Sequence, residues 1–369
     1  MASKYSVKDY DIKFKELLKE LPYQPSKPEY SKLKERDQIE HVLYFNAVEA
    51  KKKENKPLNR YINIFPYDYN RIVLKEPVNE RDYLNGSYIN SPENLKEFNP
   101  ELKKLLDLSK YDNIQFLATQ GPLPHTCEHQ WQAVFDNNVD IIIMLTRVVE
   151  GSKETNNEKP KCEQYWPSVK EQCQYQHMCR HGKFEIMVVD EEEVRPNLIK
   201  TDLYLIDTES RNIDDEKLVT HLQYTGWPDF GAPEETSEII DLVKDVRKMI
   251  KDNKEKDNNY SILTHCSAGV GRTGTFIALY KLMEEIDEKL EMHLEQVEDK
   301  SKKRTSTDPL KRLNVFQTVL SLRRKRVEMV QSYAQYNYLY ACVADYLKEA
   351  NRMYALADEY QSLMNFEEI

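Results

Sequence analysis

Glycine is scarce in this chain: nine glycines and 16 prolines among 369 residues exclude a collagen-like or linker-dominated protein. No internal repeat is present. The apolar runs are short, Ile141 to Leu145 among them, and fall far short of the roughly 18 residues of a membrane helix, so no bilayer span is expected. The first stretch, MASKYSVKDYDIKFKELLKEL, has charges throughout and no apolar centre, which is not the pattern of a secretory leader. Without such a leader, six cysteines read as reduced thiols of a cytoplasmic protein. A basic excess is also missing: 53 Lys and Arg against 63 Asp and Glu leave a net charge of −10, which argues against nucleic acid as the partner. What is present suffices for a folded core, with 40% hydrophobic residues beside 31% charged ones, in one large domain with extensions or in two.

The first sixty residues carry a helical pattern, with Phe14, Leu17, Leu18 and Leu21 spaced three and four apart among charges. From Tyr61 to about Leu145 the segments YINIF, IQFLAT and DIIIML read as short β-rich or mixed segments, separated by turn-like stretches such as Ser91 to Pro100. IIIML is apolar on consecutive positions, as suits a strand covered on both faces. FEIMVV and LIKTDLYLI continue a mixed sheet, broken by the acidic run Glu191 to Glu193. SEIIDLVKDVRKMIK is helical, YSILTH is a short apolar strand, and a second long helix starts at Thr273. Strand, loop and helix in that order is how an α/β fold presents a phosphate-binding loop at the carboxyl edge of its sheet. The charged stretch 284–309 reads as a helix extension ending in a surface loop.

The chemistry concentrates in Ser261 to Phe276, SILTHCSAGVGRTGTF. Cys266 follows the short strand and Arg272 lies six positions on. Ser267, Ala268, Gly269, Val270 and Gly271 between them are all small or β-branched. Such a loop can turn its N–H groups inward as an anion nest, and the helix that follows adds its positive end. Arg272 would close the ring with a planar fork that matches two phosphate oxygens. A cysteine at the base of that ring has its thiolate favoured, giving a nucleophile aimed at phosphorus. The bland alternative is a buried core thiol beside a glycine-containing turn.

HCSAGVGRTG resembles the signature loop of the cysteine-dependent, tyrosine-specific protein phosphatases. Further segments match that family in order: NRYINIFPYDYNRIVL from Asn59, DYLNGSYIN from Asp82, ATQGPLPHTCEHQW from Ala118, KCEQYWP from Lys161, GWPDFGAP from Gly226 and LRRKRVEMVQSYAQY from Leu322. Together they span about residues 40 to 345. The resemblance implies an α/β fold: one catalytic domain (41–345) with a central twisted mixed sheet flanked by helices, between an N-terminal helical extension (1–40) and a C-terminal one (346–369).

It also implies roles. Cys266 would be the nucleophile, and Asp229 in WPDF the general acid that protonates the departing tyrosinate and then acts as base. Trp227 and Gly231 would be the hinges of its loop. Gln331 would position the hydrolytic water, with Gln335 on the same helix face. Thr273 would hydrogen-bond the sulfur, and His265 would fix the backbone of Cys266 without transferring protons. Glu150 would pair with Arg272. Tyr61 would wall a slot deep enough for an aryl phosphate only. Asn63 stands where many members carry Asp to hold the peptide backbone. Arg60, Lys161 and Gln120 match residues near the mouth, and Arg323 and Arg326 match a basic edge that forms a secondary pocket in some members.

Phosphotyrosine-containing proteins would be the partners of a monomeric enzyme that needs no cofactor or metal. Cys162, Cys173, His177, Cys179 and His181 crowd together, but they lack paired CxxC knuckles and read as ordinary thiols and imidazoles. Because distant carboxylates are screened beyond about 8 to 10 Å at physiological salt, local donors such as Arg60, Arg272, Lys161 and Arg323 are expected to govern association. A reading from another class is a catalytically inactive phosphotyrosine-binding module, which loss of Cys266, Asp229 or Arg272 would have signalled.

Overall fold

The computed structural model describes residues 25–90, 114–151, 157–167, 178–210, 216–228, 231–252, 260–298 and 313–364. Nine strands form one mixed sheet: β1 (Arg71–Val78), β2 (Arg81–Tyr88), β3 (Ile114–Thr119), β4 (Val139–Met144), β7 (Met178–His181), β8 (Phe184–Arg195), β9 (Leu198–Asp207), β10 (Glu216–Tyr224) and β11 (Tyr260–His265), in the spatial order β1-β2-β3-β11-β4-β10-β9-β8-β7. The two-residue strands β5 (Val149–Glu150) and β6 (Lys159–Pro160) pair separately. The longer helices among the described residues are α1 (Lys27–Tyr44), α2 (Cys127–Asp136), α3 (Ser237–Asp252), α4 (Gly271–Glu298), α5 (Val315–Lys325) and α6 (Tyr333–Met364).

β11 lies parallel to both β3 and β4, in the middle of the sheet, and β4 is parallel to β10. Their side chains are apolar on both faces because helices cover both. Ile141, Ile143, Ile262 and Phe116 face one buried cluster with α3, α4 and α6. Ile142, Met144, Leu117 and Leu263 face another with Trp131 of α2. The carboxyl ends of β3, β4 and β11 therefore meet at one edge, where the loop after His265 begins.

Several expectations change. YINIF is no strand: Tyr61 to Phe65 form a turn, with Ile62 95% exposed and the Tyr61 hydroxyl bonded to Ser267. The acidic run does not interrupt β8. Antiparallel pairing with β9 continues through Glu191↔Thr201 and Glu192↔Lys200, and the carboxylates can stay hydrated on an open sheet face. The long helix starts at Gly271, two residues ahead of Thr273. The helical reading of the N-terminal flank agrees with α1, whose Tyr30, Leu33, Asp37 and Glu40 are covered by packing on α5 and α6. Phe14, Leu17, Leu18, Leu21, Ser91 to Pro100 and residues 299–309 lie outside the described residues.

Candidate active site

From His265 onward the backbone turns its carbonyls away from one centre. His265 O accepts from Leu145 N (2.9 Å) and Ser267 O from Gly121 N (2.9 Å). Ala268 O and Gly269 O accept from the Arg326 guanidinium (3.1 and 2.9 Å), and Val270 O accepts from Val330 N and Gly274 N (3.0 Å each). With the carbonyls turned outward, the N–H groups line the concave side, the geometry of an anion nest. Glycine is required at position 269: its φ is +70°, and a Cβ there would lie 2.0 Å from Thr119 O.

Cys266 sits at the base of this ring, 5% exposed. Burial pushes its thiol up. The hydroxyl and N–H of Thr273, the charge of Arg272 and the N–H of Gly269 more than offset that, and the net shift is below the ordinary thiol value. Thr273 Oγ1 is buried without a conventional partner, which leaves its proton for the thiolate.

The Arg272 guanidinium is held in place by acceptors. Glu150 takes it with both oxygens, Nη2 to Oε2 at 2.9 Å and Nη1 to Oε1. Nη1 also donates to Leu145 O (3.2 Å) and Thr146 Oγ1 (3.1 Å), and Nη2 to Pro228 O (3.0 Å). The pairing of Glu150 with Arg272 is therefore present, and Lys161 Nζ approaches the same carboxylate at 3.4 Å. Through Pro228 the guanidinium also touches the WPDF loop, whose Trp227 is buried and donates Nε1–H to Gly231 O (3.3 Å). Asp229 lies outside the described residues.

On the opposite wall, Ser267 Oγ donates to Lys161 O (2.8 Å), so Tyr61 O–H is the donor to Ser267 Oγ (2.8 Å) and its ring is tethered to the loop. Asn63 is exposed. Arg60 is turned away from the loop centre: Nε donates to Gly121 O (2.9 Å), Nη2 to Pro122 O (2.6 Å) and its backbone N–H to Gln120 Oε1 (2.8 Å). Gln331 is exposed and donates to Glu328 (2.9 Å), and Gln335 Oε1 accepts from Ser332 N (3.2 Å). Both carboxamides lie beside Gly271 at the head of α4.

The basic edge expected of Arg323 and Arg326 does not exist as such. Arg326 is fully buried beneath the loop and bound to Gly269 O, Ala268 O, Asn85 Oδ1 and Ser87 Oγ. Arg323 is 1% exposed and paired with Asp37. Neither guanidinium is open to a second phosphate, because both are buried and turned onto acceptors inside the protein.

Behind Cys266 runs a chain whose protons can be assigned. His265 Nδ1 faces Cys266 O at 3.0 Å, and a carbonyl only accepts, so Nδ1 carries the proton. Nε2 then accepts from Tyr165 O–H (2.7 Å), and the Tyr165 oxygen accepts from His221 Nε2–H (2.9 Å). His221 Nδ1 is left unprotonated, in keeping with its lack of a partner. Burial lowers His265 to about 4 and His221 to about 3, so both rings are neutral at pH 7. Tyr165 and His221 were missed by sequence reasoning, although Tyr165 lies within KCEQYWP. Of the crowded cysteines and histidines, Cys173 and His177 lie outside the described residues, Cys162 is buried, and Cys179 Sγ donates to Tyr165 O (3.7 Å).

A family model described as protein-tyrosine phosphatase matches residues 55–345. Receptor-type tyrosine-protein phosphatase epsilon of Homo sapiens is 32% identical over 300 residues, covering 79% of this chain and 35% of that protein. Tyrosine-protein phosphatase non-receptor type 4 of Mus musculus is 31% identical over 290 residues, covering 79% of this chain and 25% of that protein. The chain thus spans about a third or less of these curated relatives. Among solved structures, the catalytic domain of human protein tyrosine phosphatase non-receptor type 18 matches with a TM-score of 0.66 at 25% identity, covering 87% of this chain and 95% of that one. A structure of the same phosphatase in complex with HER2-pY1196 phosphopeptides matches with a TM-score of 0.65 at 24% identity, covering 87% and 92%. Among the described residues, no helix is long and apolar enough to cross a membrane.

Proposed function

The chain belongs to the protein-tyrosine phosphatase family, and on that premise we propose that it hydrolyses phosphotyrosine in proteins through a cysteinyl-phosphate intermediate. The observation that carries this reading is the Cys266 thiol, lowered by its loop and faced by an Arg272 that Glu150 holds by both oxygens. In the first step the Cys266 sulfur attacks phosphorus, the S–P bond forms, and the P–O bond to the aryl group breaks. Asp229 donates its proton to the departing oxygen. Loop N–H groups and the Arg272 fork hold the equatorial oxygens as charge redistributes. In the second step a water held by Gln331 attacks phosphorus and gives its proton to Asp229, and the S–P bond breaks. Thr273 stabilises the thiolate that leaves, and neutral His265 keeps the Cys266 carbonyl in place.

Tyr61, tethered to Ser267, supports selection of the aryl ester, since a phosphoserine is too short to bring its phosphate down to Cys266. Lys161, Asn63 and Gln335 border the mouth and belong to the peptide-binding side of this reading, in a monomeric cytoplasmic enzyme. Arg60 contributes by fixing the Gly121–Pro122 backbone beside the loop.

The test is hydrolysis of matched phosphotyrosine and phosphoserine peptides by the wild type and by Cys266→Ser in the presence of a chelator. Turnover of phosphotyrosine alone, lost in the variant, is expected. A wild type that binds the phosphopeptide without turning it over would make the domain a binding module and sink the reading.

A further inference from the structure

The loop from Val327 to Gln331 joins α5 to α6 and ends on the glutamine assigned to the second step. Two of its residues have left-handed backbones, Glu328 at φ +57° and Val330 at φ +59°. A β-branched residue rarely adopts that conformation, so surrounding contacts must impose it. One is Val330 N donating to Val270 O (3.0 Å). The others converge through Arg323, the last turn of α5. Its Nε donates to Met329 O (2.9 Å), Nη2 to Val330 O (2.9 Å) and Nη1 to Asp37 Oδ2 (3.1 Å) on α1. Tyr30, also on α1, lies under the same guanidinium and donates its hydroxyl to the backbone carbonyl of Gln331 (2.5 Å). Inside the loop, Glu328 Oε2 accepts from Gln331 Nε2 (2.9 Å), which leaves the amide oxygen on the side of Gly271.

We propose that Tyr30 and Asp37 of α1 are positioning residues for the second half-reaction, holding the Gln331 backbone so that its carboxamide presents the water to the cysteinyl phosphate. The proposal rests on the phosphatase reading above. Among the described residues, the side-chain hydrogen bonds of Tyr30 and Asp37 go only to Arg323 and to the carbonyls of Val330 and Gln331, none to residues 265–273. Their hydrogen bonds reach the thiolate's loop only at one remove, through Val330 N and Val270 O, so the water attack, which uses Gln331 itself, depends on them more than the thiolate attack does. A helix outside the matched 55–345 segment thus acts on one step of the cycle.

Rapid mixing of an aryl phosphate with the wild type, Tyr30→Phe and Asp37→Asn separates the steps. Release of the aryl alcohol in the burst reports the first step, and the steady state reports the second. Each variant is expected to keep its burst rate within about twofold of wild type, while steady-state hydrolysis falls about fivefold, the equivalent of one ordinary hydrogen bond. With an added small alcohol, a larger share of phosphate should pass to the alcohol, because a loosely held water competes less well. Gln331→Ala should show the same signature more strongly. A merely structural role would slow both steps together and leave the partition ratio unchanged, and that outcome overturns the proposal. Unchanged kinetics in both variants would overturn it equally. Absence of aryl release by the wild type would remove the phosphatase reading and this proposal with it; release with wild-type partition in the variants would remove this one alone.

Discussion

Two loops of this molecule border the phosphate site proposed above and are built in different ways. The loop Cys266–Gly271 puts glycine where φ is positive, at Gly269, and its outward carbonyls are paired with neighbouring donors. The loop Val327–Gln331 places Glu328 and Val330 at positive φ and is held by side chains from α1 and α5. The first needs no outside force at its strained position, because glycine occupies it, and Arg326 and neighbouring N–H groups then fix its carbonyls, as suits a ring of donors that must not rearrange when charge develops. The second is preorganised from outside, so its geometry can be lost without any change within it. Gly274 joins the two, since a Cβ there would lie 2.5 Å from Val330 N.

The largest expected effect falls on the intrinsic loop. Arg272→Lys removes the bidentate fork that Glu150 aligns and should lower kcat/KM on a phosphotyrosine peptide by about 10²–10³-fold, as loss of a preorganised oxyanion donor does. A drop of less than tenfold would mean that the nest alone carries the phosphate. Next, Gly269→Ala must force a Cβ against the Thr119 carbonyl at positive φ, and chemical denaturation should show a loss of about 2–3 kcal/mol together with lost activity. Unchanged stability would show that the loop relaxes freely.

The braced loop should respond to pH instead. Burial raises the Asp37 carboxyl to about 6, although Arg323 opposes the shift. A carboxyl that binds its proton more tightly when folded stabilises the fold at low pH, and that contribution is lost as pH rises from about 4 to about 6. Over this window the stability of Asp37→Asn relative to wild type should therefore increase, as followed by thermal melts at matched ionic strength. A flat difference would place Asp37 in a more hydrated setting. The smallest effect is expected from Glu328→Gly, which relieves a left-handed backbone and should raise stability by up to about 1 kcal/mol while releasing the Gln331 carboxamide.

What could be read from the sequence follows the same division. Cys266 to Thr273 are consecutive, so their chemistry and spacing stand together in the chain, and the strand and helix around them follow from apolar patterning. The brace could not be read, because Tyr30 and Asp37 lie about 300 positions from the residues they hold. The same holds for His221, brought to His265 by the order of the sheet, and for Tyr165, 100 positions from His265 and on no strand. The basic edge that the resemblance implies for Arg323 and Arg326 is absent, and a row of arginines does not reveal which guanidinium is buried. The acidic run at Glu191 to Glu193 suggested a break in the sheet, since composition records charge and not which face of a strand meets water.

The decisive measurement is to quench the reaction of the wild type with a phosphotyrosine peptide in acid within its first turnover and to locate the phosphate by mass spectrometry. Phosphate attached to the sulfur of Cys266, absent from Cys266→Ser and longer-lived in Gln331→Ala, is the expected result. Peptide hydrolysis with no phosphorylated Cys266, or with the phosphate on another residue, would contradict the assignment of the nucleophile and of the loop built around it.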